Sequence, residues 1–186
     1  MFILVDLVSY KNCLNQNRIY WISESLRTKM KRINIELREA VIEDLHILKI
    51  FEQEIIQFER PFASNIKMSP VTYYDLKDLI LRKDAQVIVA IIGEEIVGSG
   101  FALIQNSKPY FEPEQYVYLG FMFVSPQYRG KGINGKIIEK LVEWATSKNL
   151  SEIQLDVYAA NESATNAYKK IGFKPDLLKM RLNTAE

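Results

Sequence analysis

The sequence is poor in cysteine and histidine, with one residue of each type among 186. A lone Cys13 cannot form an intrachain disulfide, so the chain fits a reducing compartment and we expect it to be cytoplasmic. Because His46 is the only histidine, a metal site built from several histidines and a paired-histidine mechanism are both excluded. The sequence therefore predicts no metal.

The sequence also lacks a charge excess and a long apolar run. Its 24 Lys and Arg residues against 23 Asp and Glu residues leave a net charge of +1, whereas nucleic-acid-binding proteins usually carry a basic excess. The opening MFILVDLV is apolar but short, and a membrane-spanning helix needs about 20 apolar residues. It is also too short for a secretory signal. We expect no nucleic-acid partner and no membrane span.

What remains is the composition of a globular protein, with 48% hydrophobic and 25% charged residues and a length that suits one domain. Residues 1–31 mix short apolar pieces with polar residues and are predicted to be an N-terminal extension. This extension is either loosely attached or packed on the domain as an extra element. Residues 32–186 are predicted to form the domain itself.

Hydrophobic periodicity from residue 33 onward predicts the element order β-α-α-β-β-β-α-β-α-β. Two strands around the turn at Gly93 have the signature of a hairpin. Interleaved strands and helices with a hairpin in the middle predict an α/β fold with a mixed sheet covered by helices. The predicted strands are 33–40, 86–93, 96–105, 116–124, 152–158 and 177–182, and the predicted helices are 43–58, 71–83, 134–148 and 162–171.

The most informative stretch is VSPQYRGKGINGKII at 124–138, between a predicted strand and an amphipathic helix. Three glycines crowd this turn, and they let the backbone bend and approach a ligand. The free N–H groups of the first helical turn favour an anion. Cations flank the glycines, so a diphosphate is the predicted occupant. The glycines are Gly130, Gly132 and Gly135, and the cations are Arg129, Lys131 and Lys136.

Two other interpretations of the stretch stay open on spacing alone. The first is a tight turn without a ligand. The second is a dinucleotide-binding turn, because G-K-G-I-N-G from Gly130 to Gly135 fits the G-x-G-x-x-G pattern. Against the second, the loop lies late in the chain, after a hairpin. A phosphate-cradling NTPase loop is excluded because no Gly-Lys-Ser/Thr ending is present.

Two motifs resemble the GNAT superfamily of acetyl-CoA-dependent N-acetyltransferases. Arg129–Asn134 resembles the family's pyrophosphate loop, Arg/Gln-x-x-Gly-x-Gly/Ala, and departs from it only at Asn134, which could cap the helix instead. About 30 residues later, a second family motif is matched in order and spacing by Asn161, Ala164, Tyr168 and Gly172-Phe173. The resemblance covers roughly residues 35–182 and implies the GNAT fold, a mixed central sheet flanked by helices.

The resemblance implies acetyl-CoA as acyl donor, a primary amine on a small molecule or peptide as acceptor, and a possible homodimer. The backbone of the fourth strand would bind the pantetheine arm, and Asn161 would hydrogen-bond it. Tyr168 would also border the cofactor and act as the general acid that protonates the leaving thiolate. The implied cofactor-binding residues are Met122, Phe123, Val124, Arg129, Gly130, Lys131, Gly132, Ile133, Asn134, Asn161 and Tyr168.

The general base is not carried over, because Tyr118 stands where several family members have a glutamate. Glu112, Glu114 or Glu59 could act as base through water. Aromatic and acidic residues at 55–75 and 106–115 predict a cationic amine acceptor. A non-catalytic acyl-CoA-binding module of the same fold is the alternative function. The aromatic residues are Phe58, Phe62, Tyr73, Tyr74, Tyr110, Phe111 and Tyr116, and the acidic ones are Glu54, Glu59, Glu112 and Glu114.

Overall fold

The structure is a computed structural model that describes residues 34–68 and 70–184. The predicted extension at 1–31 and Cys13 lie outside these ranges. The described strands are β1 (Glu36–Glu39), β2 (Ala85–Ile92), β3 (Glu95–Asn106), β4 (Gln115–Val124) and β5 (Ile153–Leu155). The described helices are α1 (Leu45–Glu59), α2 (Leu76–Leu81), α3 (Ile133–Ser147) and α4 (Glu162–Ile171), with short 3-10 turns at Ile42–Asp44 and Pro126–Tyr128.

The five strands form one sheet in the order β1-β2-β3-β4-β5. The first four are antiparallel neighbours, and β5 is parallel to β4. The β4–β5 connection runs through α3, as a parallel pair requires. The predicted mixed α/β sheet is therefore confirmed.

Helices cover both faces of the sheet, and alternate residues of each strand pack on opposite sides. In β2, Ile88 packs with the buried residues of α3, whereas Val87 packs with α1 and α2. Ile137 and Leu141 of α3 are fully buried, because their spacing of four residues places them on one helix face.

Three predicted elements differ from the structure. The strand predicted at 152–158 is reduced to the three residues of β5. The second helix was expected over 71–83, but α2 covers only six residues. Residues before it stay extended because their N–H groups bond elsewhere: those of Tyr73 and Tyr74 donate to the Glu52 carboxylate at 2.8 and 2.9 Å. Asp75 then caps α2 by accepting from the N–H of Asp78.

The closing strand predicted at 177–182 does not form. Its apolar side chains are exposed, from 66% at Leu178 to 88% at Leu177. Strand β5, the edge strand of the sheet, is only three residues long, so a further strand could form few hydrogen bonds with it. Instead of pairing, the segment contacts the loop after α1, where Arg181 Nη2 donates to Ser64 Oγ at 2.9 Å.

Candidate active site

Strand β5 pairs with only the first half of its parallel neighbour β4. Val117, Tyr118 and Leu119 pair with β5. Strand β5 then ends at Leu155, whereas β4 continues to Val124. Among the described residues, 120–124 thus have no strand neighbour on that side, and we call the space beside them the cleft. An exposed strand edge offers N–H and C=O groups to an extended ligand. The predicted pantetheine-binding residues Met122, Phe123 and Val124 lie on this edge.

A β-bulge in β4 lies at the same place. Ser99 pairs with Phe123 and Phe101 with Gly120, so Phe121 and Met122 together oppose Gly100. Phe121 has φ of 57°, in the left-handed region that non-glycine residues seldom adopt. Such strain costs about 1–3 kcal/mol and concentrates at functional sites.

The bulge reverses which face of the sheet the side chains of β4 occupy. Before it, Val117 and Leu119 pack with the α3 core; after it, Phe121 and Phe123 pack with α1 and α2. A regular strand would keep all four odd-numbered residues on one face. The extra residue therefore re-aims the backbone groups of 120–124 as well as their side chains.

The loop that follows β4 leads into the N-terminus of α3, at the open end of this cleft. Gly132 caps α3 with φ of 78°, a conformation that suits glycine. The helix begins at Ile133, which is buried in the core and anchors the loop. Asn134 therefore lies inside the first turn, and the predicted capping by its side chain is wrong.

The loop offers the features that a diphosphate requires. A methyl group added at Gly130, Gly132 or Gly135 would meet no heavy atom of the described residues within 4 Å, so these residues leave the space above the loop open. The first-turn N–H groups of α3 carry the positive end of the helix dipole. Arg129 Nε donates to the Val124 carbonyl at 3.0 Å, and its guanidinium lies 5.3 Å from the centre of the Phe58 ring. Lys131 and Lys136 are exposed.

The second motif follows β5 and forms α4. Asn161 caps α4, with Oδ1 accepting from the N–H of Ala164 at 3.2 Å. The helix ends at Gly172 in the left-handed conformation, as predicted. Tyr168 lies in the last two turns, with its ring edge-on to Phe173 at 6.0 Å. Burial, then the charge of Glu59, raises the pKa of Tyr168 to about 12, so its hydroxyl stays protonated at neutral pH.

Glu59, the last residue of α1, is half-buried among tyrosines. Burial raises the pKa of its carboxyl above the usual 4.5, and a contact with the Tyr73 hydroxyl partly opposes this. Its negative charge contributes to the raised pKa values of Tyr74, Tyr118, Tyr158 and Tyr168, for each of which burial is the larger cause. Glu59 is thus the charged centre of a group of phenols, which we call the tyrosine cluster: Tyr73, Tyr74, Tyr118, Tyr158 and Tyr168.

A second carboxylate lies near the tyrosine cluster. Asp156 directly follows β5, and its Oδ2 accepts a long hydrogen bond from the Tyr118 hydroxyl at 3.4 Å. Burial and the neighbouring phenol and carboxylate charges raise the pKa of Tyr118. Tyr118, which replaces the glutamate of the family motif, therefore faces the same site as Glu59. Sequence reasoning missed Asp156 and Tyr158, because nothing in the local pattern marks the residues that follow a strand end.

The buried Glu52 fixes two members of the tyrosine cluster. Its side chain is 2% exposed, and Oε1 accepts from the N–H groups of both Tyr73 and Tyr74. A buried carboxylate needs such partners, because desolvation without them is costly. Phe58, an aromatic residue predicted for the acceptor site, is 47% exposed and lies against the Arg129 guanidinium.

A cavity of about 290 Å³ borders the tyrosine cluster on the α2 side. Tyr73, Tyr74 and Tyr118 line it together with Phe101 and Leu103. The Tyr74 ring is edge-on to Phe101 at 5.1 Å and to Phe121 of the bulge at 5.9 Å. The tyrosine cluster therefore joins this cavity to the strained part of β4.

The other predicted acceptor and base residues lie apart from Glu59. Glu112 and Glu114 are exposed and precede β4, at the end opposite to the open edge. From Glu114 to Met122 the strand spans roughly 26 Å at about 3.3 Å per residue. Tyr110 and Phe111 are exposed in the same loop, and Glu54 lines a different surface cavity. Phe62, by contrast, stacks on Tyr158 at 6.3 Å.

Within the described ranges, no group of three or more His, Cys, Asp or Glu side chains is placed to hold a metal ion. Each helix found there is too short or too polar to cross a bilayer.

Comparison with known proteins identifies the class to which this fold and cleft belong. The model of the acetyltransferase (GNAT) family matches residues 52–173. An uncharacterized N-acetyltransferase of Archaeoglobus fulgidus is 30% identical over 135 residues, which cover 72% of this chain and 89% of the archaeal protein. The chain belongs to the acetyltransferase (GNAT) family, as the two sequence motifs predicted.

A shorter match links the chain to relatives with named acceptors. A thialysine N-epsilon-acetyltransferase of Mus musculus is 48% identical over 56 residues, 30% of this chain. The chain therefore spans only 33% of the length of that relative. A streptothricin acetyltransferase of Escherichia coli is 31% identical over 91 residues, 49% of this chain and 48% of that protein.

Solved structures share the fold. A predicted acetyltransferase from Clostridium acetobutylicum, solved with acetyl-CoA, superposes with a TM-score of 0.62 at 19% identity and covers 81% of this chain and 96% of its own. A protein of Bacillus halodurans superposes with a TM-score of 0.73 at 20% identity, over 80% of this chain and 98% of its own. The predicted fold is therefore confirmed.

Proposed function

We propose that this protein transfers the acetyl group of acetyl-CoA to a primary amine, with Glu59 as general base and Tyr168 as general acid. The observation that carries the proposal is the tyrosine cluster at the open edge of β4. There the half-buried carboxylate of Glu59 lies close enough to the protonated phenol of Tyr168 for its charge to act on it. An amine acceptor must lose a proton and a leaving thiolate must gain one, and these two groups match those needs.

The residues of the cleft fit acetyl-CoA. The open edge at 120–124 suits an extended pantetheine arm, and the glycine loop with the α3 N-terminus suits a diphosphate. Arg129, Lys131 and Lys136 would neutralise the phosphate charges. Asn161 would donate from Nδ2 to the arm, since only its Oδ1 serves the helix cap. Acetyl-CoA supplies the activated acyl group.

Backbone groups at the bulge would stabilise charge that develops on the thioester oxygen. The donor would be the N–H of Met122 or of Phe123, which directly follow the strained Phe121 in the unpaired part of β4. Preorganised donors of this kind typically contribute about 2.7–4 kcal/mol to transition-state stabilisation. The buried Ser99, whose hydroxyl donates to the Phe121 carbonyl at 3.3 Å, helps to hold the bulge in place.

Glu59 is favoured as base over Glu112 and Glu114 because of its position. It is half-buried in the tyrosine cluster that also contains Tyr168, whereas the other two carboxylates lie at the far end of β4. Burial holds its pKa above the usual range, which moves it toward the pKa of an effective base at neutral pH.

The acceptor is proposed to be a cationic amine. Glu59, Asp156 and the ring faces of the tyrosine cluster all attract ammonium groups. One relative is named for acetylating the epsilon nitrogen of thialysine and another for acetylating streptothricin. Because both are only partly covered, we carry over from the first no more than a nitrogen as the reacting atom. A cytoplasmic location and a homodimer remain predictions from the sequence.

The direct test is turnover. The protein is incubated with acetyl-CoA and a panel of primary amines, while released thiol and acetylated product are measured together. Equal yields of thiol and acetylated amine support the proposal. Acetylation confined to hydroxyl or neutral acceptors would rule out the cationic amine, and thiol release without any acceptor would indicate hydrolysis.

A further inference from the structure

Arg181 brings a positive charge to the rim of the proposed acceptor site. Its Nη2 donates to Ser64 Oγ at 2.9 Å. Ser64 lies in the turn that directly follows α1, where the N–H groups of Phe62 and Ala63 both donate to the Glu59 carbonyl, at 2.9 and 3.1 Å. The guanidinium is therefore hydrogen-bonded to the same turn that begins at Glu59, the proposed base.

Tyr158 is close enough to this cation and to the carboxylates of Glu59 and Asp156 for all three charges to act on its hydroxyl. Its ring stacks on Phe62 of the same turn, at 6.3 Å. Burial and the charge of Glu59 raise the pKa of the Tyr158 hydroxyl, and the charge of Arg181 opposes them. Asp156 adds to the raising effect. The charges of two carboxylates and one guanidinium of the site thus act on the Tyr158 hydroxyl.

Arg181 differs from the arginines that serve the fold. Arg38 and Arg82 hold carboxylates at 2.6 and 2.7 Å. In the part of the chain that the structure describes, no carboxylate oxygen lies within 4 Å of the Arg181 guanidinium, which bonds the neutral Ser64 instead. A guanidinium binds a carboxylate through two parallel N–H···O bonds, so this cation retains the capacity for an anionic partner.

We propose that Arg181 binds a carboxylate of the acceptor while the reacting amine lies at Glu59. The acceptor is then a free amino acid with an amine at the far end of its side chain. A diamine lacks the carboxylate, and a lysine within a protein chain has it blocked as an amide. This inference rests on the proposed function, because it takes Glu59 as the point where the amine reacts.

The test compares two amines that differ only by the carboxylate, lysine and cadaverine. The kcat/KM of each is measured with the wild type and with Arg181→Ala. The wild type is expected to prefer lysine, and Arg181→Ala to lower kcat/KM for lysine by about tenfold, the usual effect of one charge-assisted contact. The values for cadaverine are expected to change little. The lysine effect should fall mainly on KM, since the contact is made in ground and transition states alike.

Two further variants separate recognition from general charge and from folding. Arg181→Lys keeps the charge but not the planar fork, so it should recover part of the preference. Lys179→Ala removes one positive charge from the same exposed segment and should leave the preference intact. Melting temperatures of all variants are measured beside the rates, and they are expected to match that of the wild type because the side chain is exposed.

The proposal is overturned if lysine and cadaverine react equally well, or if Arg181→Ala lowers both in the same proportion. Turnover of cadaverine alone also overturns it while leaving the proposed acetyl transfer to amines in place. If neither amine reacts, free amino acids with a terminal amine are excluded as acceptors. The proposed acetyl transfer to a primary amine is then tested separately with the broader panel of amines.

Discussion

The negative charge of Glu59, at the end of α1, acts on the hydroxyl of Tyr168, in α4, although most of the domain separates the two residues in the chain. Burial, followed by the negative charge of Glu59, raises the pKa of the Tyr168 hydroxyl to about 12. Burial also raises the pKa of Glu59 itself. One group is thus suited to accept a proton near neutral pH and the other to donate one.

Replacing Tyr168 with Phe should lower kcat by about 100-fold, the lower end of what a positioned acid contributes. The dissociation constant for acetyl-CoA should change little, because the ring remains. Stopped-flow thiol release and calorimetric binding measure the two quantities separately. Tyr110→Phe, at an exposed ring, is the matched control and should match the wild type. An unchanged kcat in Tyr168→Phe would remove the general-acid role.

Replacing Glu59 with Gln should lower kcat/KM by about 100-fold at neutral pH and abolish the acidic limb of the pH–rate profile. That limb should lie above the usual pKa of 4.5, because burial raises the pKa of Glu59. Glu112→Gln and Glu114→Gln test the other candidate bases and should leave the profile unchanged. If either of them removes the limb and Glu59→Gln does not, the assignment of the base is wrong.

Glu59→Gln should be more stable than the wild type at pH values above the folded-state pKa of Glu59. The folded state binds the Glu59 proton more tightly than the unfolded chain does, since its pKa is raised in the folded state. Stability from this group is therefore full below the unfolded pKa and is lost as pH rises through the folded pKa. Thermal melts at pH 4 and pH 8 should show that Glu59→Gln loses less stability between these two pH values than the wild type. An equal loss would show that Glu59 is not desolvated in the folded protein.

Gly132→Ala should weaken acetyl-CoA binding beyond its effect on stability. Gly132 and Gly93 both have positive φ, 78° and 64°, and an added methyl group meets no atom within 4 Å at either position. Each substitution should therefore cost a similar 1–2 kcal/mol, roughly, of backbone strain. Only Gly132 lies in the proposed phosphate loop, so only its variant should lose affinity in a calorimetric titration. Equal affinities in the two variants would place the phosphates elsewhere.

Two substitutions at Asn161 distinguish its helix-capping role from its proposed role in binding acetyl-CoA. Asn161→Ala should destabilise the protein by about 1 kcal/mol through the lost cap. Asn161→Asp keeps the Oδ1 acceptor for the Ala164 N–H and should melt near the wild type. Both variants lose the Nδ2 donor, so both should bind acetyl-CoA more weakly, by up to about tenfold. Full affinity in Asn161→Asp would restrict Asn161 to its capping role.

The parts of the site that could be predicted are those encoded locally. The glycine loop before α3 and the Asn161–Phe173 motif are contiguous stretches, and their spacing determines turn, cap and helix end. The helix that contains Tyr168 was predicted with the bounds observed, because a cap and a left-handed glycine delimit it.

The remaining parts depend on contacts between distant segments. Nothing near Glu52 in the sequence shows that its carboxylate will accept two N–H groups from residues more than twenty positions later. For the same reason the start of α2 was misplaced. The β-bulge at Phe121 is also hidden, because the run YVYLGFMFV alternates as well with the bulge as without it. The strand predicted at 177–182 failed because alternation alone does not supply a neighbouring strand long enough to pair with.

The most direct test of the central claim is a thermal-shift titration with acetyl-CoA and NAD in parallel, followed by thiol release with a panel of amines. A ligand of the folded state raises the melting temperature as its concentration exceeds the dissociation constant. We predict that acetyl-CoA stabilises the protein, that NAD does not, and that at least one primary amine releases thiol. Stabilisation without turnover would favour the non-catalytic acyl-CoA-binding module. No stabilisation by acetyl-CoA at millimolar concentration would contradict the assignment of Arg129–Asn134 as its binding loop.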